Sequence, residues 1–136
     1  MNDYVNVIDN ETELRLVELL TKLRLVSNIE FAVVTIATTK GEPIADYTLG
    51  VAKEWGVGPK NSAAGGGLVL VLAIKDRQWH LQVSRSLEQD LPPAIAKNLA
   101  VGSTPLYKQG NFSAGIEKYV NAIIARLGKE RHFAIQ

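Results

Sequence analysis

Residues 67–84 (GLVLVLAIKDRQWHLQVS) decide the fold of this chain. Residues 68–74 are continuously apolar and rich in branched side chains, which is typical of a strand covered on both faces of its sheet. Four polar residues follow, and residues 79–84 then alternate between apolar and polar side chains, as a strand with one wetter face does. The short connection predicts that the two strands form an antiparallel hairpin.

An earlier apolar run, residues 30–38 (EFAVVTIAT), predicts a further buried strand. A predicted helix over residues 44–55 joins it to the strand at residues 68–74. A strand–helix–strand unit of this kind places its two strands parallel in one sheet, with helices packed on the sheet faces. The sequence therefore predicts an α/β fold, a three-layer α/β/α sandwich with a small mixed sheet.

Three more helices follow from capping signals and helical periodicity. Asn10 with Glu13 three residues later resembles a capping box at the start of the first helix. Prolines at positions 92 and 93 open the next helix, and Asn111 caps the last one, which we expect to stop at Gly128. We therefore expect a single domain over residues 1–128 and a C-terminal tail over residues 129–136.

The bulk composition excludes several classes of function. Fifteen basic and fourteen acidic residues leave a formal charge of +1, so no basic surface for nucleic acid is expected. The chain has no cysteine, which excludes disulfides, thiolate metal ligands and cysteine nucleophiles. Apolar runs stay well short of the roughly twenty residues that cross a bilayer, so no transmembrane segment is expected. We expect the domain to be a monomer.

The predicted topology brings polar and glycine residues together at one edge of the sheet. The hairpin reverses the chain, so residues 55–67 and residues 84–90 are expected to be neighbours there. Asn61, Glu88 and Asp90 offer oxygen ligands that suit calcium or magnesium, and no organic cofactor is indicated. The alternative interpretation is that the two acids merely precede a helix and interact favourably with its dipole.

The same edge carries side chains that suit an anion. The candidates are Lys60, Ser62, Arg85 and Ser86, close to the free N–H groups at the start of a helix. The alternative is a solvated loop, because turns favour small polar residues in any case.

Four other aspartates are second-tier candidates for acid/base chemistry. They are Asp3, Asp9, Asp46 and Asp76. Two carboxylates can act as an acid/base pair only when they lie close together, and sequence separation does not give that distance. Asp3 and Asp9 are equally suited to holding turns and helix caps.

Several short motifs, in order along the chain, resemble the TPM domain family. The chain opens with N-D-Y and an acidic helix cap, and W-G-V-G at residues 55–58 matches the family's W-G-x-G turn. Asp76 and Arg77 match a D-R hairpin, and S-L-E at residues 86–88 falls where relatives have G-L-E. Residues 107–115 resemble the pattern F-x-x-G-x-[FY]-x-x-G. The resemblance covers nearly the whole chain.

The resemblance implies a function outside the cytoplasm. Members of the family act in the thylakoid lumen, the bacterial periplasm or beside a transmembrane segment, so the chain is expected in a periplasm-like or lumen-like compartment. It could be part of a longer membrane-attached or secreted precursor. Acid phosphatase activity has been attributed to plant lumenal relatives, and divalent-cation binding to bacterial and plant members.

The sequence departs from the family pattern at the edge of interest. Relatives often carry Asp-Asn where this chain has small residues at positions 63–66, and Gly-Tyr-Gly where it has residues 84–86 (SRS). A carboxylate is lost and an arginine is gained. We therefore expect an accessory domain with weak calcium binding that supports a membrane-associated protein partner. The alternatives are an acid phosphatase using the same edge and a purely structural interaction module.

Overall fold

The centre of the molecule is a mixed β-sheet. The computed structural model describes residues 1–55 and 66–135, and its four strands there follow the order β1-β2-β3-β4. Their bounds are Asn2–Asp3 for β1, Ile29–Ile36 for β2, Gly66–Ala73 for β3 and Gln78–Val83 for β4. β1 and β3 run parallel to β2, and β4 runs antiparallel to β3. The predicted parallel unit and antiparallel hairpin are confirmed.

Helices cover both faces of this sheet. Their bounds are Asn10–Ser27 for α1, Ile44–Trp55 for α2, Pro93–Ala100 for α3, Thr104–Lys108 for α4 and Phe112–Arg131 for α5. The main core joins one sheet face to α1, α3 and α5, and a smaller core packs α2 against Val69 and Val71 on the other face. Because β3 is buried along its whole length, its side chains contribute to both cores. The predicted three-layer α/β/α sandwich is confirmed.

The sequence pattern did not reveal strand β1. It has two residues, which pair with Val34 and Thr35 of β2 and are too few to show an alternation. The Asp3 carboxylate accepts hydrogen bonds from the N–H groups of Val7 at 3.0 Å and Ile8 at 2.9 Å. These bonds fix the turn that leads from the sheet edge into α1.

Two helix boundaries differ from the prediction. The N-cap of α1 is Asp9, whose carboxylate accepts a hydrogen bond from the Thr12 N–H at 2.8 Å, so the predicted Asn10 cap was wrong by one residue. The predicted end of α5 at Gly128 was also wrong, because the helix continues to Arg131. A Cβ at Gly128 would lie 2.5 Å from the Phe133 carbonyl oxygen. This glycine therefore allows close approach of the chain end.

Residues 129–135, which we expected to form a C-terminal tail, are in contact with the domain. The proposed boundary after residue 128 falls within α5. Phe133 and Ile135 are partly buried and pack against the main core. These contacts hold the last turn of α5, which carries Arg131, against the domain.

Candidate functional site

The hairpin builds an edge at which β3 begins and β4 ends. The Ser84 N–H donates to the Gly67 carbonyl oxygen at 3.0 Å, and the Gly67 N–H donates to Ser84 Oγ at 2.9 Å. The expected proximity is therefore confirmed for Gly66 and Gly67, which meet residues 84–87. We call residues 66–67 and 84–90 the glycine-rich edge.

Close packing of Leu87 on Gly66 shapes this edge. A Cβ added at Gly66 would lie 2.5 Å from Leu87 Cγ and 2.8 Å from Ser86 Oγ, which no side chain tolerates without movement. Leu87 is fully buried in the main core. The 3₁₀ turn at Arg85–Leu87 therefore lies directly on the β3 backbone, and glycine at position 66 is what allows it.

Asp90 is bound by two arginines from the last turns of α5. Arg131 Nε lies 2.7 Å from Asp90 Oδ2, and Arg131 Nη2 donates to the Ser86 carbonyl oxygen at 2.5 Å. Arg126 Nε donates to the Asp90 carbonyl oxygen at 3.1 Å. Carboxylate and carbonyl oxygens are the ligands that calcium prefers, and here a guanidinium occupies them. We call this arrangement the arginine clamp.

The remaining residues of the predicted edge site differ in their surroundings. Glu88 and Arg85 are exposed, while Ser86 is half-buried with its Oγ 3.1 Å from Ser84 Oγ. In the part of the chain that the structure describes, no three His, Cys, Asp or Glu residues group in a way that would hold a metal. Asn61, Lys60 and Ser62, the other predicted ligands, lie outside the described residues.

Sequence reasoning missed the two arginines of the clamp. Asp90 and Arg131 are 41 residues apart, and no motif connects them. One available signal was the excess of basic residues at the end of the last helix, but that pattern is also explained by the helix dipole. Only the packing of α5 on the sheet shows which carboxylate the guanidinium reaches.

Three of the four second-tier aspartates have structural partners. Asp76 Oδ1 accepts from the Thr38 hydroxyl at 2.8 Å, and Asp76 Oδ2 accepts from the Thr39 N–H at 2.9 Å. The backbone hydrogen bond from Thr39 lowers the pKa of Asp76, and the Thr38 hydroxyl lowers this pKa further. The carboxylate therefore stays charged and ties the end of β2 to the hairpin.

Asp9 and Asp3 hold the two ends of the segment that leads into α1. The hydrogen bond from the Thr12 N–H is the main cause that lowers the pKa of Asp9. Asp3 binds the turn after β1, as described above, and its Oδ1 also accepts from the Thr35 hydroxyl at 2.5 Å. Asp46 is exposed in the first turn of α2. The interpretation of Asp3 and Asp9 as turn and cap residues is confirmed.

Solved bacterial domains share this architecture. The N-terminal domain of a protein from P. gingivalis is 28% identical over 99% of this chain and 85% of that chain, with a TM-score of 0.82. The BA42 protein from the psychrophilic bacterium Bizionia argentinensis is 16% identical over 93% of this chain and 85% of its own, with a TM-score of 0.75. The N-terminal domain of a Corynebacterium glutamicum protein is 16% identical over 92% of this chain and 79% of its own, with a TM-score of 0.65.

A comparison with protein-family models gives the same result as the comparison of folds. The TPM domain model matches residues 1–126, and the chain therefore belongs to the TPM domain family. No curated protein matches the chain in sequence. TPM domains are broadly extracytoplasmic. Among the described helices, none combines the length and apolar character that a membrane crossing requires.

Proposed function

We propose that this TPM domain is an accessory binding domain that works outside the cytoplasm beside a membrane-associated protein. In this proposal it binds calcium or magnesium only weakly at the glycine-rich edge and catalyses no reaction. Family membership supports the compartment. The arginine clamp is the observation that carries the claim of weak cation binding.

The clamp weakens a cation site in two ways. Calcium takes six or more oxygen ligands. One of the available oxygens, Asp90 Oδ2, already contacts Arg131 Nε at 2.7 Å. The guanidinium also brings a positive charge to the position where a second cation would bind, so it repels that cation. Glu88, which is exposed, remains as the unclamped carboxylate of the predicted pair.

A calcium titration followed by backbone amide chemical shifts tests this proposal. The wild-type protein should show shifts at Asn61, Glu88 and Asp90 only at millimolar calcium. In Arg131→Gln the Asp90 carboxylate loses its internal cation, so the calcium affinity should rise by about three- to tenfold. Magnesium can be titrated in the same way to compare the two ions.

Arg15→Gln is the matched control for this experiment. It removes the same charge from another arginine that is paired with a carboxylate, Glu117, at 2.7 Å and far along the chain from Asp90. Its calcium affinity should equal that of the wild type. If neither the wild type nor Arg131→Gln shows shifts at the three predicted ligands, the cation claim is wrong.

Hydrolysis of an aryl phosphate at acidic pH tests the competing phosphatase hypothesis. If the wild type hydrolyses the aryl phosphate and both Arg85→Ala and Glu88→Ala lose this activity, the domain is an enzyme that uses the same edge, and the accessory role is wrong. If the glycine-rich edge shows neither calcium-induced shifts nor hydrolysis, and a membrane protein is recovered in a pull-down, a purely structural interaction module is favoured.

A further inference from the structure

A cavity of about 720 Å³ lies at the opposite end of the sheet from the glycine-rich edge. One side is formed by the β3–β4 hairpin, from Leu72 to Trp79, and the other by α4 and the turn into α5. Cavities of roughly 300–1,000 Å³ are typical of sites for small organic molecules. We call this cavity the hairpin cleft.

Aromatic and aliphatic side chains form the walls of the hairpin cleft. Tyr107 and Phe112 stack with ring centroids 6.1 Å apart, and Trp79 packs edge-on against Tyr119 at 5.3 Å. Leu72 adds an aliphatic surface to the lining. Rings that are fixed by their neighbours offer a preformed apolar surface. Binding a ligand there therefore costs little side-chain conformational entropy.

Two basic side chains line the cleft. Arg77 and Lys108 both line it and are exposed to solvent, and among the described residues no acidic side chain lines the cleft. Asp76 is next to Arg77 in sequence, but its carboxylate is bound by Thr38 and Thr39 on the β2 side. Burial raises the pKa of Tyr107, so its hydroxyl stays neutral and adds no negative charge to the cleft.

Two glycines shape the wall of the cleft that α4 and α5 form. Gly110, with φ of +77°, lets the chain turn sharply between the short helix α4 and α5. Gly115 leaves room for the Tyr107 ring, because a Cβ at position 115 would overlap the Cε1 and Cδ1 atoms of that ring. Glycine at position 115 therefore lets the edge of the Tyr107 ring pack closely against the first turn of α5.

We propose that the hairpin cleft binds a small amphipathic organic anion, a carboxylate with an apolar chain or ring. The apolar part would lie against Trp79, Tyr107 and Phe112, and the carboxylate would be placed near Arg77 and Lys108. The volume fits a ligand of this size, and the charge of the rim is complementary to it. This proposal does not rest on the function proposed for the glycine-rich edge.

Decanoate is the probe for the first experiment, with backbone amide shifts as the measurement. Wild-type protein should show saturable shifts confined to residues 72–79 and 104–112. Decanol, which has the same chain without the charge, should bind about tenfold more weakly, since a charge-assisted contact is lost. Equal affinity for decanol, or shifts that fall elsewhere in the chain, would overturn the proposal.

Paired variants separate the rim charges from the total charge of the protein. Arg77→Gln/Lys108→Gln should weaken decanoate binding by about tenfold and leave decanol binding unchanged. Arg24→Gln/Lys53→Gln removes the same two charges from the surfaces of α1 and α2 and should leave decanoate binding unchanged. An equal loss in both double variants would mean that only the net charge matters, against the proposal.

A filling variant tests the cavity itself. Thr104 is exposed at the rim, at the first position of α4, so Thr104→Trp should occupy the cleft without disturbing the core. Binding of both decanoate and decanol should fall by more than tenfold, with the dispersion of the amide spectrum retained. Unchanged binding in a folded Thr104→Trp protein would show that decanoate binds outside the cleft.

Discussion

The two ends of the sheet each hold one partly buried aspartate, and they hold it by different chemistry. Asp76 at the hairpin end is bound by hydroxyl and backbone N–H groups that carry no net charge. Asp90 at the glycine-rich edge is bound by the guanidinium of Arg131. The donors around Asp76 leave its negative charge unbalanced, whereas the guanidinium of Arg131 balances the charge of Asp90. The comparison indicates that a cation at the glycine-rich edge would have to compete with Arg131 for the Asp90 carboxylate.

The largest effect should come from removing the packing that supports the glycine-rich edge. Leu87 is fully buried, so Leu87→Ala should lower the free energy of unfolding by about 2–5 kcal/mol. Ile74 at the hairpin end is only partly buried, and Ile74→Ala should cost less. Urea unfolding of both variants measures the difference. Equal losses would mean that the two ends depend equally on core packing.

The close contact beneath the 3₁₀ turn gives the next effect in size. Gly66→Ala places a Cβ 2.5 Å from Leu87 Cγ and should destabilise the fold by about 1–3 kcal/mol. Gly50→Ala is the control, because a Cβ there meets nothing within 4 Å on an exposed face of α2. That change should stabilise the protein by about 0.5–1 kcal/mol. Thermal unfolding distinguishes the two, and a stabilising Gly66→Ala would contradict the packing.

A double-mutant cycle measures the arginine clamp directly. Arg131→Gln and Asp90→Asn should show a coupling free energy of about 1 kcal/mol, because their side chains are only 18% and 25% exposed. The pair Arg15 and Glu117, with exposures of 55% and 26%, should show about 0.5 kcal/mol. A coupling near zero at the clamp would leave Asp90 available to a metal and would weaken the comparison.

The smallest effect concerns acid stability at the hairpin end. The folded-state pKa of Asp76 is lowered, so its carboxylate contributes stability above the unfolded pKa, and this contribution is lost as the pH falls. Asp76→Asn should therefore be less stable than wild type at pH 7, and the difference should shrink below about pH 4. Asp46→Asn, at an exposed position, should show a smaller difference at pH 7. Urea midpoints across the pH range provide the measurement.

The sequence predicted the sheet well where periodicity was strong and poorly where elements were short. The buried run of β3 and the alternation of β4 predict both strands and their pairing, because side-chain burial imposes those patterns directly. The two residues of β1 carry no such pattern. Asp9 and Asn10 both suit an N-cap, so sequence alone could not choose between them.

The candidate site could be predicted only in part, for a related physical reason. Topology placed Ser84 beside Gly67, because a hairpin fixes which residues meet. The pairing of Asp90 with Arg131 depends on the angle and register at which α5 packs, and 41 residues separate the two partners. The hairpin cleft likewise depends on how a five-residue helix, α4, meets the hairpin.

Helix α5 is common to both ends of the molecule. It begins with Phe112 in the wall of the cleft and ends with Arg131 at the clamp, and its 20 residues span about 30 Å. A helix of this length is stiff, so movement of its first turn is transmitted to its last turn as a tilt or a slide. A slide by one residue displaces Arg131 by about 1.5 Å along the axis, which is enough to break a 2.7 Å contact with Asp90.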